Sequence, residues 1–373
     1  MENLFEYVLL IRWQHVAMWV IGALLIYLAI KKEMEPTLLL PIGFGAIMVN
    51  LPMSGVITQV ENGVAEIGVL DTLFNAGIAN ELFPLLLFIG IGAMIDFTPL
   101  LTNPKLMIFG AAAQFGIFFT LCMASLLGFE LKDAASIAII GAADGPTSIF
   151  VANYFASNYL GAIVIVAYSY MALVPIIQPP VIRLCTTRKE RLIRMEYTGK
   201  PVPRIVKILF PIVITVISGL VAPKSVALIG FLMFGNLIRE CGVLNGLSET
   251  AQKVLANLVT LFLGITVASK MQAEQFLTPE TLMILGLGLI AFVFDTIGGI
   301  MIAKLMNLFL KKKVNPMIGA AGISAFPMSS RVVHKMGLQE DPQNFLLMHA
   351  AGVNVSGQLA SVIAGGLILK LFG

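Results

Sequence analysis

Charged residues are scarce in this chain of 373 residues, and their scarcity excludes an ordinary water-soluble protein. Asp, Glu, Lys and Arg together make up 12% of the sequence, whereas hydrophobic residues make up 58%. Soluble domains carry about 25% charged residues, so the composition indicates an integral membrane protein. Its apolar segments are long enough to span a bilayer as helices, which favours helices over a β-barrel.

Cysteine and histidine are also rare, with three of each. The cysteines are scattered and show neither a disulfide framework nor thiolate metal-site spacing. The histidines do not cluster, so nothing indicates a zinc site or a catalytic histidine. No P-loop motif occurs, and the net charge of +3 gives no indication of nucleic-acid binding because the basic residues lie in loops.

Ten apolar segments are predicted to cross the membrane. Two more, 134–156 and 315–333, are interrupted by Gly, Pro and Ser, and are predicted to be re-entrant hairpins or broken spans. The fold class expected is an all-α integral membrane protein. Residues 1–6 lack the basic region of a signal peptide and are predicted to form a short interfacial helix. The ten predicted spans are 15–31, 37–52, 83–98, 106–128, 158–182, 205–222, 224–239, 254–270, 281–310 and 344–370.

Short stretches recur in the two halves of the chain. Residues 101–110 resemble 277–286, and 140–143 recur as 318–321, so the interrupted segments fall at equivalent positions. We expect two inverted repeats. The predicted parts are a first repeat over 1–182 with its hairpin at 134–156, a basic cytoplasmic loop at 183–207, and a second repeat over 208–373 with its hairpin at 315–333.

Loop charge predicts the orientation. The 183–207 segment carries eight Lys or Arg against two Glu, which places it in the cytoplasm, whereas the 53–82 connection has neither Lys nor Arg and should lie outside. The remaining basic clusters also lie on the cytoplasmic side if the two interrupted segments enter the membrane from opposite faces without crossing it. Both termini then lie outside.

The most informative stretch is 141–150, Gly-Ala-Ala-Asp-Gly-Pro-Thr-Ser-Ile-Phe. It places Asp144 beside a helix break inside an apolar segment, and a carboxylate at membrane depth indicates a functional site. Asp144 could simply cap the following helix, but capping does not require a buried full charge. We therefore predict a cation ligand, with the hydroxyls of Thr147 and Ser148 and freed backbone carbonyls completing an oxygen shell.

Other polar residues of apolar segments have two interpretations each. Asn315 and Ser324, in the second interrupted segment, are either cap residues or cation ligands. Asn354, Gln358 and Ser361 share one face of the last span and either line a site or hydrogen-bond between helices.

Two further spans also contain candidates. The 158–182 span offers Tyr168, Ser169, Tyr170 and Gln178, each of which could be a packing residue. Asp295 is a second carboxylate inside a span, and its role stays open.

Together these motifs resemble the membrane-embedded β subunit of biotin-dependent, sodium-pumping decarboxylases. The resemblance covers essentially the whole chain and rests on 141–147, 167–180, 315–331 and 344–354. The family includes enzymes for oxaloacetate, methylmalonyl-CoA and glutaconyl-CoA. The 53–82 connection is shorter than in some oxaloacetate members, which favours an acyl-CoA substrate.

The resemblance implies that this subunit decarboxylates carboxybiotin carried on a partner, exports sodium and consumes an external proton. The implied partners are a biotin carrier protein, a carboxyltransferase α subunit and a small single-span membrane subunit, and there is room for a homo-oligomer of this chain. The implied location is the bacterial cytoplasmic membrane.

The resemblance also assigns residues. It implies catalytic roles for Asp144, Tyr170 and Arg331, with Arg331 receiving the carboxylate of carboxybiotin. It implies that Asp144 is the sodium-site carboxylate, that Asn315, Ser324 and Asn354 are companion sodium or proton-coupling residues, and that Gly319 is a further position on which the family depends. Together with Thr147, which its hydroxyl predicts as a ligand, these are the predicted metal-site residues.

Two alternatives remain at this point. A stand-alone sodium-coupled carboxylate transporter of inverted-repeat, elevator-like architecture would have a similar ion site, and a membrane scaffold would have none. Co-purification with a biotinylated partner would favour the decarboxylase.

Overall fold

The computed structural model describes residues 6–33, 36–61, 64–196 and 201–373. These residues form an almost entirely helical protein. The predicted interfacial helix lies mostly outside them, but a 3₁₀ helix covers Glu6–Leu10. The α-helices are α1 (Trp13–Lys31), α2 (Pro36–Val49), α3 (Val69–Leu73), α4 (Leu82–Met94), α5 (Thr98–Thr102), α6 (Met107–Ala113), α7 (Phe115–Leu126), α8 (Leu131–Ala138), α9 (Gly145–Tyr154), α10 (Leu160–Cys185), α11 (Arg188–Arg191), α12 (Arg204–Val221), α13 (Val226–Glu240), α14 (Asn245–Glu249), α15 (Ala256–Val267), α16 (Ala273–Phe276), α17 (Pro279–Phe309), α18 (Met328–Glu340) and α19 (Leu347–Phe372).

Shorter elements connect or interrupt these helices. The only strands in the described parts of the chain are β1 (Gln59–Glu61) and β2 (Val64–Glu66), which pair antiparallel in the 53–82 connection. Two π-helical turns cover Phe74–Ile78 and Thr250–Leu255. The remaining 3₁₀ segments are Pro104–Leu106, Ile139–Ala142, Pro223–Ser225, Ala268–Lys270 and Pro316–Gly322.

Each of the ten predicted spans coincides with helix, but the predicted count of ten crossings is not confirmed. Among the described residues, seven helical segments are long and apolar enough to cross a membrane. An eighth is added if Val69–Ile78 and Leu82–Met94, which meet at a bend of 59°, form one span. The helices α2, α4 and α13 have 14, 13 and 15 residues. They are shorter than the roughly 20 residues of a typical transmembrane helix, so length and composition do not make each a span by itself.

The first interrupted segment is a hairpin of two helices with a break between them. The helix α8 continues as a 3₁₀ turn over Ile139–Ala142, and the chain then reverses through Ala143, whose φ of 52° is left-handed. The next residue, Asp144, has extended backbone and begins α9, with Pro146 in the first turn, where a missing N–H is tolerated. The break therefore follows from the Gly-Pro pair, as predicted.

The second interrupted segment also has a 3₁₀ segment, a break and then an α-helix, but no α-helix directly precedes its 3₁₀ segment. A 3₁₀ segment over Pro316–Gly322 ends in an extended stretch at Ile323, and α18 begins at Met328. The 3₁₀ segment runs very close to α17. A methyl group on Gly319 would lie 2.0 Å from the carbonyl oxygen of Gly299, so neither glycine leaves room for a side chain.

The two hairpins attach to different connections of the chain. In the first hairpin, the amide of Asn153 donates to the carbonyl of Ala79, in the 53–82 connection, at 2.7 Å. In the second, Arg191 of the 183–207 segment donates to Glu340 at 2.7 Å. The breaks of both hairpins lie in the largest hydrophobic cluster, which contains Ala143 and Ala325. Polar groups at the breaks are therefore enclosed by apolar side chains.

Candidate functional site

Asp144 lies at the centre of a cluster of neutral hydrogen-bond donors. Its side chain is 3% exposed. The oxygen Oδ2 accepts from the Thr147 hydroxyl at 2.7 Å, from Gln358 Nε2 at 2.9 Å and from the Ser361 hydroxyl at 3.3 Å. No ion pair among the described residues includes Asp144. A buried carboxylate without a cationic partner requires a proton or a bound cation.

The other carboxylate oxygen, Oδ1, is much less engaged. Its hydrogen bond, from the backbone N–H of Thr147, is long at 3.5 Å. This bond makes Asp144 the N-cap of α9, so Asp144 does cap the following helix. It does not account for the three donors on Oδ2. Oδ1 retains the free lone pairs that a hard cation needs.

The second hairpin approaches Asp144 through Ser324. Its hydroxyl and its backbone N–H both donate to the carbonyl of Ala142, two residues before Asp144. Asn354 of α19 donates to the carbonyl of Ile323 at 2.7 Å, and its own buried Oδ1 has no hydrogen-bond partner in the described structure. Hairpin one, hairpin two and α19 thus meet at one point.

A cavity of about 350 Å³ connects this point with Arg331. Asp144, Ser324 and Gln358 line it, and so does Arg331 of α18, which is exposed. A carboxylate and a guanidinium are therefore reached from the same space. The geometry places a cation ligand and an anion-binding group within one chamber.

Five of the predicted site residues do not line this chamber. Thr147 and Asn354 form their hydrogen bonds beside it, as described above, and the other three form contacts elsewhere. The Tyr170 hydroxyl donates to the carbonyl of Leu285 in α17 at 2.6 Å. Asn315 donates to the carbonyls of Arg191 and Ile193, both at 2.9 Å, and accepts from Met317 N.

Gly319, the third, packs against α17 as described above. These contacts make Asn315 and Gly319 anchors of the second hairpin. Tyr170 likewise anchors α10 to α17.

Tyr168 comes closer to the break than Tyr170 does. Its ring lies against Gly145, where a methyl group would be 2.3 Å from the ring carbon Cζ. Its hydroxyl is buried without a hydrogen-bond partner in the described structure. The sequence did not distinguish the two tyrosines. Residues i and i+2 of a helix point about 200° apart, and periodicity alone did not show which side of α10 faces the break.

Gln178 has a structural position. Its amide donates to the carbonyl of Ala320 at 2.7 Å and exchanges hydrogen bonds with the hydroxyl of Ser329. Gln178 therefore joins α10 to both arms of the second hairpin.

Asp295 is the second buried carboxylate. It faces the backbone N–H groups of Gly116 and Ile117, at the start of α7, and no described side chain donates to it. It also touches Gly141, where a methyl group would be 2.8 Å from Oδ2. A carboxylate at a helix N-terminus is a favourable arrangement, so Asp295 stabilises the break between α6 and α7 beside the first hairpin.

On the face that carries the basic segment, ion pairs fix α18. Arg194 Nε lies 2.5 Å from Asp341 Oδ2, and this hydrogen bond lowers the pKa of Asp341 from its usual value. The carboxylate of Asp341 is therefore ionised at neutral pH and holds the loop against the end of α18.

Comparison with known proteins decides the family. Residues 14–372 match the family described as the Na⁺-transporting oxaloacetate decarboxylase beta subunit. The chain belongs to this family.

Relatives with different substrates match the beta subunit over nearly its full length. The methylmalonyl-CoA decarboxylase subunit beta of Veillonella parvula is 49% identical, with 95% of this chain and 92% of that one covered. The glutaconyl-CoA decarboxylase subunit beta of Acidaminococcus fermentans is 48% identical, with 97% and 94% covered. The probable oxaloacetate decarboxylase beta chain of Vibrio cholerae is 44% identical, with 96% of each chain covered.

The resemblance inferred from the motifs is therefore confirmed. This beta subunit is a multi-pass bacterial membrane protein and the membrane subunit of a sodium-transporting decarboxylase. The relatives favour this over a stand-alone carboxylate transporter or a scaffold.

Proposed function

We propose that this subunit decarboxylates carboxybiotin, presented by a partner subunit, and couples that reaction to sodium export. The single observation that carries the proposal is the chamber that Asp144 and Arg331 line together. Asp144 offers a cation an ionisable oxygen ligand, and Arg331 offers a carboxylate an unpaired guanidinium. Carboxybiotin and sodium are both substrates of such a chamber.

The sodium ion binds at Oδ1 of Asp144. The support for this position is that Oδ2 already accepts three side-chain hydrogen bonds, whereas Oδ1 has one long contact. The unpartnered Oδ1 of Asn354 and the hydroxyl of Ser324 are the neutral oxygens that complete the shell. Thr147, Gln358 and Ser361 position the carboxylate. Asn315 and Gly319 act indirectly, by holding the second hairpin in place.

The reaction balances as follows. The bond between the ring nitrogen of biotin and the carboxyl carbon breaks, carbon dioxide leaves, and the electron pair stays on the nitrogen. That nitrogen then takes up one proton, which enters from the external side. Arg331 binds the carboxylate until the bond breaks. It does not attract the neutral carbon dioxide that is formed. Release of the product therefore removes an anion from the chamber and changes the binding free energy of the nearby cation.

Alternating access arises from relative movement of two inverted repeats. The support is that both hairpins have a 3₁₀ segment and a break before a helix, bond to different connections of the chain and touch at Ala142 and Ser324. Broken helices that meet at mid-membrane are the usual ion sites of inverted-repeat transporters. A ligand moves such an equilibrium only as far as it binds one state more tightly.

The acyl substrate of the complex is a CoA ester. The alignments with two methylmalonyl-CoA relatives span 354 and 376 residues and that with a glutaconyl-CoA relative spans 361, whereas that with the Vibrio cholerae oxaloacetate relative spans 415. The last number exceeds the 373 residues of this chain, so the oxaloacetate relative carries insertions that this chain lacks. The partners are a biotin carrier protein, a carboxyltransferase α subunit and a small single-span subunit.

The test is decarboxylation by the reconstituted complex with and without sodium. Asp144→Asn keeps the size of the side chain but removes its charge, so we expect sodium-stimulated decarboxylation to disappear. Sodium stimulation that survives Asp144→Asn would overturn the proposal.

Asp133→Asn is the matched control, because Asp133 is a buried carboxylate of the same hairpin. It accepts from Ser157 at 2.6 Å and lies outside the chamber. We expect this variant to keep its sodium response.

A further inference from the structure

The chamber that Asp144 and Arg331 line is also lined by polar residues of other elements. These elements are the start of α2, the end of α4, the π-helical turn that leads into α15, and α15 itself. Their polar lining residues are the amides Gln252 and Asn257 and the hydroxyls of Thr37 and Thr260. None of these residues belongs to the motifs from which the site was predicted.

Asn257 is unusual for its surroundings. It lies in the first turn of α15, whose sequence Ala-Asn-Leu-Val-Thr-Leu-Phe-Leu-Gly is otherwise almost entirely apolar. Its side chain is exposed to the chamber and forms no hydrogen bond within the described structure. The preceding residues continue helically, so Asn257 has no capping function. An unpaired amide in an apolar membrane helix indicates a ligand.

Gln252 and Arg331 are also available. The amide nitrogen of Gln252 donates to Ser248 at 2.8 Å, and its carbonyl oxygen accepts no hydrogen bond among the described residues. Arg331 forms no ion pair and no side-chain hydrogen bond among the described residues, although it lines a chamber that also holds a carboxylate. The lining of the chamber therefore includes one cation, one free amide and one amide carbonyl.

One lining residue of the chamber is bonded to a basic side chain. Met94 lines the chamber, and its carbonyl accepts a hydrogen bond from Arg239 at 3.3 Å. Arg239 also lies 3.7 Å from Glu240, which in turn lies 3.8 Å from Lys207 of the basic segment. Basic loops remain in the cytoplasm, so the chamber is reached from the side on which a soluble carrier subunit would dock.

We propose that Asn257 and Gln252 bind the ureido ring of carboxybiotin while Arg331 holds its carboxylate. The ring keeps one N–H donor and one carbonyl acceptor once its other nitrogen is carboxylated. An Asn side chain supplies both a donor and an acceptor, and the free carbonyl of Gln252 accepts from the ring N–H. The volume of about 350 Å³ lies at the lower end of the range for ligand pockets, about 300–1,000 Å³, and suits a small bicyclic head group.

This inference rests on the proposed function, and the two can fail separately. The assay is decarboxylation of the pre-carboxylated biotin carrier subunit by the reconstituted complex, at saturating sodium and varied carrier concentration. We expect Asn257→Ala and Gln252→Ala each to raise KM for the carrier about threefold to tenfold, as for loss of one hydrogen bond. The kcat at saturation and the half-saturating sodium concentration should not change.

Asn257→Asp is the sharper variant. It keeps the shape of the side chain but opposes one carboxylate with another, so we expect a larger rise in KM than for Asn257→Ala. Gln339→Ala is the matched control, since Gln339 is an exposed amide of α18 that does not line this chamber. It should leave KM unchanged.

The possible results distinguish failure of this inference from failure of the proposed function. An unchanged KM for Asn257→Ala and Gln252→Ala, while Asp144→Asn is inactive, overturns this inference and leaves the proposed function standing. A raised half-saturating sodium concentration with an unchanged KM also overturns it, because Asn257 would then serve the ion. Sodium-stimulated activity in Asp144→Asn overturns the proposed function itself.

Discussion

Ser324 and Ala142 join the two hairpins at a single carbonyl oxygen. The hydroxyl of Ser324 lies 2.6 Å from the oxygen of Ala142, and the backbone N–H of Ser324 lies 3.1 Å from it. One donor belongs to the side chain and the other to the backbone. A substitution at Ser324 therefore removes one of these two hydrogen bonds.

We expect Ser324→Ala to preserve the fold and to weaken the sodium site. Loss of one buried hydrogen bond should lower the free energy of unfolding by about 1 kcal/mol, while the half-saturating sodium concentration rises because a ligand oxygen is gone. Thermal unfolding in detergent and sodium-dependent decarboxylation measure the two effects. Ser330→Ala is the control, since its hydroxyl bonds locally to Pro327; equal sodium responses of the two variants would contradict the prediction.

Gln358 and Ser361 hold Oδ2 of Asp144 without being bonded to the proposed ion. Replacing either with Ala should raise the half-saturating sodium concentration about 10-fold, as is typical when a residue that orients a metal ligand is removed. Maximal activity should return at high sodium. The comparison is Ser356→Ala in the same helix, whose hydroxyl bonds to Val353 and Leu106 instead. Activity that high sodium does not restore in either variant would contradict the prediction.

The Gly319 and Gly299 contact has no room for a side chain. Gly319→Ala forces the 3₁₀ segment away from α17, and we expect about 1–3 kcal/mol of destabilisation, seen as a lower unfolding midpoint in detergent. Gly286→Ala in α17 is the counterpart, because nothing lies within 4 Å of the added methyl group. Ala is the better helix former by about 1 kcal/mol, so this variant should be neutral or more stable. Equal unfolding midpoints for Gly319→Ala and Gly286→Ala would contradict the prediction and show that the second hairpin shifts at little cost in stability.

The two tyrosines of α10 should respond oppositely to loss of their hydroxyls. Tyr170→Phe breaks the 2.6 Å hydrogen bond to Leu285 and should lower the free energy of unfolding by about 1 kcal/mol. Tyr168→Phe removes a buried hydroxyl that has no partner in the described structure, so stability should stay or rise. Unfolding midpoints in detergent compare the two. A larger loss for Tyr168→Phe would reveal a partner of its hydroxyl.

The predicted orientation can be measured with single cysteines. In a variant without the native cysteines, Glu66→Cys in the 53–82 connection should react with a membrane-impermeant maleimide in intact cells. Lys189→Cys in the basic segment should react only after permeabilisation. Both residues are exposed, so access to the reagent depends on the side of the membrane alone. Labelling of Lys189→Cys in intact cells would show that the true orientation is the reverse of the predicted one.

Much of the site was predictable from local chemistry. Pro146 has no N–H with which to continue a helix from the preceding turn, and a carboxylate beside such a break in an apolar segment indicates a function or a firm cap. The face formed by Asn354, Gln358 and Ser361 follows from helical period alone, and two of these residues do bond to Asp144. Asn315 and Gly319 were grouped with them by resemblance, and the structure shows them anchoring the second hairpin.

The sequence by itself determined the membrane class, the two helix breaks and the carboxylate that lies at one of them, because composition and local backbone preferences act over a few residues. Only the tertiary structure decided that Ser324 bonds to Ala142, that Oδ1 rather than Oδ2 of Asp144 stays open, and that Arg331 shares a chamber with it. Asn257 is visible in the sequence only as one polar residue of an apolar segment, and the tertiary structure decided that it lines this chamber. Contacts between residues far apart in the chain depend on how whole helices pack, and no short-range pattern encodes that packing.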